Sequence, residues 1–284
     1  MGKLRERMRE DLILRGMSVR TQESYLAAVG ALAKYYGCAP DTLNEEQIRC
    51  YLLHLLTQRK FAASSVNVAV SAIRFFFRES LKRADMPLDL ARPKPPSRLP
   101  VILAREEVTR LILATPDARE RTMFMTAYGT GVRVSELCAL KLSDIDAARM
   151  CLRIEQGKGA KDRDTLLSPR LLDQLRLYWK QYRPAHWLFP AARDARRPMD
   201  VQVAQRAFGR ALARAGVSKH CGIHGLRHAF ATHLLESGVD IHTIQRLMGH
   251  ASLHATLRYF HLAREHLSAT ASPLDLLEIP RPLD

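Results

Sequence analysis

Residues 224–234, which read HGLRHAFATHL, combine a regular apolar pattern with closely spaced polar side chains. Apolar residues recur there at every fourth position, which predicts an amphipathic helix that starts near Ile223. The buried stripe consists of Leu226, Phe230 and Leu234. His224 and Arg227 lie three positions apart and share a different face of that helix. We therefore expect these two side chains to project into a polar cleft.

Other segments carry residue types that suit the same polar cleft. Upstream, residues 129–137 read GTGVRVSEL and place Arg133 at the start of a helix, where backbone N–H groups favour an anion. Downstream, residues 247–250 read LMGH and residues 256–261 read TLRYFH. Arginine forms forked hydrogen bonds with phosphate oxygens, histidine moves protons and tyrosine can attack phosphorus. Each segment alone also fits an ordinary surface or core position, but their order indicates chemistry on a phosphodiester.

The charge of the chain points to a polyanionic partner. Its 284 residues include 44 Lys and Arg against 29 Asp and Glu, a net charge of +15. Residues 1–100 hold 17 basic and 10 acidic side chains, and the remainder holds 27 and 19. Because both halves are basic, we expect both to face nucleic acid. A soluble protein that happens to be basic is the alternative.

Cysteine usage and hydropathy indicate the compartment. The five cysteines are scattered and form no Cys-x-x-Cys pair, which fits buried thiols in a reducing cytosol. The first residues, MGKLRE, lack the apolar run of a signal peptide. No stretch approaches the roughly 20 apolar residues of a membrane-spanning helix. We therefore expect a cytoplasmic protein that does not enter a membrane.

Five prolines between residues 84 and 100 rule out a continuous helix and predict a semi-rigid linker. This linker separates a unit at residues 1–83 from a unit at residues 101–284. Apolar residues at helical spacing predict an all-helical first unit, and residues 42–45 resemble a capping box that opens one of its helices.

The second unit is predicted to be mostly helical, with a small antiparallel sheet. The predicted helices cover residues 105–114, 120–128, 133–140 and 169–182, and the predicted strands cover residues 151–155 and 164–167. Lys158 lies between two glycines at the hairpin tip, where the backbone can approach DNA closely. Lys161 is the alternative lysine. The expected fold class is therefore mainly α.

Cys221, His224 and His228 are potential metal ligands that lie close together in the sequence. A zinc-protease helix needs Glu directly after its first His, and Gly225 stands there. Cys221 and His224 also have no second ligand pair at finger-like spacing. We expect neither a metal nor another cofactor.

Taken together, these motifs resemble the tyrosine recombinase (phage integrase) family, especially its Xer and integron-integrase branches. The resemblance runs from Arg133 to His261, and the helical first unit is similar to the SAM-like core-binding domain of the family. The resemblance implies a catalytic set of Arg133, Lys158, His224, Arg227, His250 and Tyr259. One departure is residues 164–167, DTLL, where many relatives have a proline-containing strand.

The resemblance also implies a mechanism and partners. Tyr259 would attack a phosphate to form a 3′-phosphotyrosine, while the two arginines and His250 stabilise its oxygens. Lys158 would protonate the leaving 5′ oxygen, and His224 would help to deprotonate the tyrosine. Four protomers would act on two double-stranded DNA sites through a Holliday junction. The apolar segment at residues 272–277 would dock on a neighbouring protomer or on its own domain.

Two other functions fit the same residues. A DNA-binding protein of this fold that no longer cuts would bind a site without cleavage. A type IB topoisomerase would relax supercoiled DNA without a site requirement. The filled catalytic positions disfavour the first and the compact two-domain chain disfavours the second, and nothing in the sequence specifies an accessory protein.

Overall fold

A computed structural model describes residues 2–83, 90, 92–94, 100–155, 162–250 and 252–260. The chain divides into two compact units, Met1–Arg98 and Leu99–Asp284, and each unit has its own apolar core. The described residues are mostly helical and include one small antiparallel sheet, which confirms the predicted fold class. The predicted linker at residues 84–100 lies mostly outside the described residues.

The first unit is built from helices. They are α1 (Gly2–Leu14), α2 (Val19–Tyr36), α3 (Glu45–Thr57) and α4 (Ala63–Phe75), with a short 3-10 turn at Pro40–Thr42 and a π-helical turn at Phe76–Ser80. The π-helical turn widens the end of α4, and the three consecutive aromatic residues Phe75, Phe76 and Phe77 are all buried there. The phenylalanines therefore belong to the core of the first unit.

The capping box of α3 lies two residues later than predicted. Asn44 and Gln47 cap each other, because the side chain of each accepts a hydrogen bond from the backbone N–H of the other. Thr42 instead ends the 3-10 turn, and its hydroxyl donates to the Ala39 carbonyl. The proline-initiated turn occupies residues 40–42, so the helix can begin only after it.

The second unit contains eight α-helices and three strands among its described residues, together with a 3-10 turn at Leu142–Asp144. They are α5 (Arg105–Leu113), α6 (Ala118–Thr130), α7 (Val134–Cys138), β1 (Ile145–Asp146), β2 (Cys151–Ile154), β3 (Arg163–Leu166), α8 (Pro169–Tyr182), α9 (Val201–Arg214), α10 (His224–Glu236), α11 (Ile241–Met248) and α12 (His254–Phe260). Helix α8 begins as predicted, with Ser168 as its cap and Pro169 in its first turn. Helix α7 is shorter than predicted at both ends, because Arg133 is its N-cap rather than its first residue and the helix ends at Cys138 rather than at residue 140.

The sheet has the strand order β1-β2-β3, and both pairings are antiparallel. The predicted hairpin is confirmed, and its register pairs Ile154 with Arg163. Strand β1 was not predicted, because two residues are too few to show an alternating pattern. Residues 156–161, which include Lys158, lie outside the described residues.

Helix α10 is almost wholly buried because it lies between two apolar clusters. Leu226 and Ala229 belong to the main core of the second unit. Phe230 and Leu235 pack in a second cluster with Tyr259 and with residues of α11. Leu234 is only partly buried, so the predicted stripe is right for its first two members. Three polar residues of α10, Arg227, Thr232 and His233, are consequently buried, whereas His224 at its N-terminus is exposed.

The cysteines are all free thiols, and they differ in exposure. Cys138 is buried, whereas Cys38 and Cys50 are exposed. The prediction of buried thiols is therefore wrong for these two, because Cys38 follows the end of α2 at Gly37 and Cys50 lies on the solvent face of α3. Among the described helices, none has the length and apolar character needed to span a membrane.

Candidate active site

Arg227 is the buried centre of the candidate site. Its side chain extends from α10, and the residue is only 2% exposed. One guanidinium nitrogen, Nη1, donates to the Gly131 carbonyl at 2.6 Å, and Nη2 donates to the Met248 carbonyl at 2.6 Å. Burial lowers the pKa of Arg227 to about 10, and the positive charge of Arg133 contributes to the shift. The guanidinium therefore remains charged at neutral pH.

Gly131 allows α6 to end directly against α10. Its φ is +63°, and a Cβ at this position would lie 2.2 Å from the ring of Phe230. Only glycine combines this left-handed backbone with such a close approach. The turn that follows brings Arg133 to the N-terminus of α7, beside the carbonyl that Arg227 holds.

Arg133 is fixed from two directions. Its Nη1 donates to Glu136 Oε1 at 2.7 Å, and its Nη2 donates to the Gly249 carbonyl at 3.1 Å. Its backbone N–H donates to Glu136 Oε2 at 2.8 Å, so the same carboxylate caps the helix and orients the side chain. The Glu136 carboxylate therefore holds this guanidinium in position.

Arg163 is a third arginine of the cluster and is not one of the six predicted site residues. It begins strand β3, and its Nη1 and Nη2 donate to the two oxygens of Glu136 at 3.0 and 2.7 Å. Its Nε donates to the Leu247 carbonyl at 3.0 Å. Burial alone would raise the pKa of Glu136, but the hydrogen bonds from Arg163 and Arg133 lower it to about 2. The carboxylate is therefore ionised throughout the physiological range.

The three guanidinium groups meet at the C-terminal end of α11. The carbonyls of Leu247, Met248 and Gly249 accept hydrogen bonds from Arg163, Arg227 and Arg133 respectively. These carbonyls form the negative end of the helix dipole, which favours cations. His250 follows directly, so the arginines also fix the backbone that carries it.

His250 and Tyr259 lie side by side after that helix. His250 Nδ1 is 2.8 Å from the Thr256 hydroxyl on α12, and the rings of His250 and Tyr259 are nearly parallel, with centroids 6.3 Å apart. Tyr259 is 5% exposed and packs in the cluster between α10 and α11.

The hydroxyl of Tyr259 contacts His228 rather than the predicted His224. It lies 2.8 Å from His228 Nδ1. The His224 ring is perpendicular to the His228 ring, with centroids 5.0 Å apart. Desolvation lowers the pKa of His224, and Arg227 and Arg133 lower it further. The shift favours the neutral form of His224, which lies about one turn before Arg227 on α10.

The structure thus brings together five of the six predicted site residues. These are Arg133, His224, Arg227, His250 and Tyr259. It adds Arg163 and His228, which are separated along the sequence from their partners Glu136 and Tyr259 by 27 and 31 positions. The sequence could have indicated His228, because it lies one turn after His224 on the same helix.

No group of three His, Cys, Asp or Glu side chains within the described ranges could hold a metal ion.

Two family profiles and several known proteins match this chain. The Phage integrase family profile matches residues 102–266, and the profile of the N-terminal SAM-like domain of phage integrases matches residues 4–84. Protein y4qK of Sinorhizobium fredii is 44% identical over 283 residues, which cover 99% of this chain and 92% of that protein. The tyrosine recombinase XerA of Thermococcus kodakarensis is 37% identical and covers 94% and 93% of the two chains.

Solved structures share the fold. The crystal structure of XerA recombinase is 30% identical, with a TM-score of 0.55 over 94% of this chain and 96% of that chain. A lambda integrase tetramer bound to a Holliday junction is 22% identical, with a TM-score of 0.74 over 91% and 76% of the chains. The family profile covers more than half of the chain, and both relatives match nearly all of it. This chain therefore belongs to the phage integrase family, and it is a tyrosine recombinase of the Xer and integrase type.

Proposed function

We propose that this enzyme cuts and rejoins DNA at specific sites through a 3′-phosphotyrosine at Tyr259. The observation that carries the proposal is the position of its hydroxyl, which lies 2.8 Å from an imidazole on the helix that also carries the buried Arg227. A phenol beside a proton acceptor and a fixed cation has the arrangement of an activated nucleophile. The tyrosine recombinase XerA, which matches nearly the full chain, supports the same chemistry.

The charge of the cluster suits a phosphodiester. Arg133 and Arg163 pair with the Glu136 carboxylate, whereas Arg227 binds backbone carbonyls. The three arginines and the one carboxylate therefore leave two positive charges for an anionic substrate. Hydrogen bonds to backbone carbonyls hold these arginines in place before a substrate arrives. Such preorganised charge stabilises the developing negative charge at phosphorus without reorganisation during the reaction. His250 and a neutral His224 would supply further hydrogen bonds to the phosphate oxygens.

In the proposed step, the Tyr259 oxygen forms a bond to phosphorus as the bond from phosphorus to the 5′ oxygen breaks. The phenolic proton passes to a histidine, and the contact with Nδ1 of His228 favours this residue over His224. Neutral imidazole with its proton on Nε2 accepts at Nδ1. A 5′-hydroxyl of a partner strand reverses the step, so the bond energy is kept in the phosphotyrosine and no ATP is needed.

Lys158 is proposed to protonate the 5′ oxygen as it leaves. The hairpin that carries this lysine begins at Ile154 and ends at Arg163. Because Arg163 is bonded to Glu136, the base of the hairpin is anchored at the site. Lys158 is five residues from this anchor and Lys161 is two, so both are close enough in the sequence to donate a proton, and Lys161 remains the alternative.

Duplex DNA and further copies of this chain are the proposed partners. The net charge of +15 favours a polyanion. Lambda integrase, which shares the fold, has been solved as a dimer bound to a core site and as a tetramer bound to a Holliday junction. We propose that four protomers of this chain likewise act on two DNA sites and exchange strands through such a junction.

A nicked suicide duplex tests the proposed function. A pool of such duplexes from the DNA that flanks the gene should trap a covalent protein–DNA adduct that survives SDS electrophoresis. Tyr259→Phe should abolish the adduct and retain binding in a mobility-shift assay. Tyr128→Phe is the matched control, because Tyr128 also lies 2.8 Å from a histidine Nδ1, that of His233, outside the site.

Three outcomes contradict the proposed function in different ways. An adduct that persists in Tyr259→Phe removes the nucleophile assignment. Site-specific binding with no adduct on any duplex of the pool supports the non-cutting alternative. Relaxation of a supercoiled plasmid that lacks the site supports the topoisomerase alternative.

A further inference from the structure

Arg163 differs from Arg133 and Arg227 in how many of its guanidinium nitrogens donate hydrogen bonds to the protein. Its three guanidinium nitrogens donate to two oxygens of Glu136 and to the Leu247 carbonyl, so every nitrogen has a protein acceptor. Its side chain is only 10% exposed. Arg133 and Arg227 each donate from two side-chain nitrogens to the protein, whereas Arg163 also engages its Nε–H and so keeps fewer N–H groups for a phosphate. Its contacts instead join strand β3 to the N-terminus of α7 and to the end of α11.

Glu136 is shared between Arg163 and Arg133. Arg163 forms the forked, bidentate pair with it, whereas the side chain of Arg133 reaches one oxygen at 2.7 Å. The bidentate pair is the stronger of these two geometries. If Arg163 were removed, the buried carboxylate would have Arg133 as its remaining side-chain cation within the described contacts. The carboxylate would then draw that guanidinium toward itself and away from a bound phosphate.

The second set of contacts of Arg163 lies at the turn directly before His250. Gly249 has φ +60°, and a Cβ there would lie 2.8–2.9 Å from Cδ, Nε and Nη1 of Arg163. The turn before His250 is therefore shaped around the Arg163 side chain. Loss of this side chain would leave the turn without its packing partner and without the hydrogen bond at the Leu247 carbonyl.

We propose that Arg163 is a positioning residue of the recombinase site, which holds Glu136 and the end of α11 so that Arg133 and His250 face the same phosphate. The inference rests on the proposed function, since it concerns the step at which the phosphate is attacked. A residue with only a structural role would change stability alone. If loss of Arg163 lets Glu136 compete with the phosphate for Arg133, neutralising Glu136 should restore part of the lost rate of adduct formation.

The test measures the rate of covalent adduct formation on the nicked duplex for wild type, Arg163→Gln, Glu136→Gln and the double variant. Arg163→Gln should slow the adduct about 100-fold, as expected for a catalytic group displaced by roughly 1 Å. Its affinity for the intact duplex should be unchanged. The double variant should be faster than Arg163→Gln by about tenfold, since neighbouring groups in one network are strongly coupled. Arg149→Gln is the control, because Arg149 is exposed in the turn between β1 and β2 and pairs only loosely with Asp164 at 3.6 Å.

The outcomes separate this inference from the proposed function. If wild type forms a Tyr259-dependent adduct and Arg163→Gln matches it, Arg163 has no positioning role. If the double variant is as slow as Arg163→Gln or slower, Arg163 has only a structural role, and Glu136 does not compete with the phosphate for Arg133. If wild type forms no adduct, the proposed function fails instead. Should Arg163→Gln not fold, Arg163→Lys replaces it, because lysine keeps the charge but cannot form the fork.

Discussion

His228 is the residue whose position changes the expected chemistry most. The family resemblance implies that His224 takes the tyrosine proton, and the sequence presents His228 only as a candidate metal ligand. Its Nδ1 lies 2.8 Å from the Tyr259 hydroxyl. Hydrogen bonds between residues 31 positions apart depend on how α10 and α12 pack, which periodicity within either helix does not encode.

The proton acceptor can be identified by substitution. His228→Gln should slow adduct formation about 100-fold, the lower end of the contribution of a general base, while His224→Gln has the smaller effect. Affinity for the duplex should be unchanged in both variants. His242→Gln, on the exposed side of α11, is the control. Adduct formation by His228→Gln at the wild-type rate would return the role to His224.

Glu136 should make the second unit sensitive to acid. Its pKa of about 2 lies below the ordinary 4.5, so the folded state favours the ionised form. This stability is present above about pH 4.5 and is lost as the pH falls toward 2, a change of about 3 kcal/mol in the free energy of unfolding. Glu136→Gln should lack this part of the pH dependence.

Urea unfolding followed by tryptophan fluorescence measures the effect of Glu136, because both tryptophans, Trp179 and Trp187, lie in the second unit. Other carboxylates cancel when the profiles of wild type and variant are subtracted. Glu46→Gln is the control, since Glu46 forms an exposed pair with Arg49 in the first unit. Parallel profiles for wild type and Glu136→Gln between pH 5 and 2 would contradict the linkage.

At the scale of single elements, the end of α6 contains two glycines with opposite requirements. Gly129 lies within the helix, and a Cβ there would meet Leu171 at an ordinary 3.5 Å. Gly131 has φ +63° and no room for a Cβ beside Phe230. Gly129→Ala should stabilise the second unit by about 0.5–1 kcal/mol, because alanine is the better helix former.

Gly131→Ala should have the opposite sign. The left-handed backbone alone costs about 1–2 kcal/mol for a residue with a Cβ, and the clash with Phe230 adds to it. The variant should also lose activity, because Arg227 is bonded to the carbonyl of this residue. The same fluorescence-detected unfolding gives both free energies. A shift of equal sign in the two alanine variants would show that the turn is not constrained as described.

The elements that sequence predicted well are those with local signals. Helix α8 has a serine cap followed by proline, and α10 has an apolar stripe, so both begin where expected. The hairpin was predicted by its two short strands around a glycine-rich turn. Strand β1 and the α3 cap were not, because a two-residue strand has no period and a 3-10 turn displaced the cap. The contacts of Arg163 were missed because its three acceptors lie in other elements.

At the scale of the whole molecule, charge governs the encounter with DNA. A chain of net charge +15 that neutralises several phosphates releases the counterions bound to them. We expect affinity for the cognate duplex to fall by about 1,000-fold or more between 50 and 200 mM salt. Fluorescence anisotropy measures it, and Tyr259→Phe should show the same slope. An affinity that is insensitive to salt would contradict a binding surface made mainly of phosphate contacts.

The uneven distribution of cysteine and tryptophan has a practical consequence. The two exposed thiols, Cys38 and Cys50, are in the first unit, whereas the indoles of Trp179 and Trp187 are in the second. A maleimide acceptor dye should therefore attach preferentially to one unit while the intrinsic donors remain in the other. Resonance energy transfer in the native chain can then follow the separation of its two units as a duplex is added, without an engineered label site.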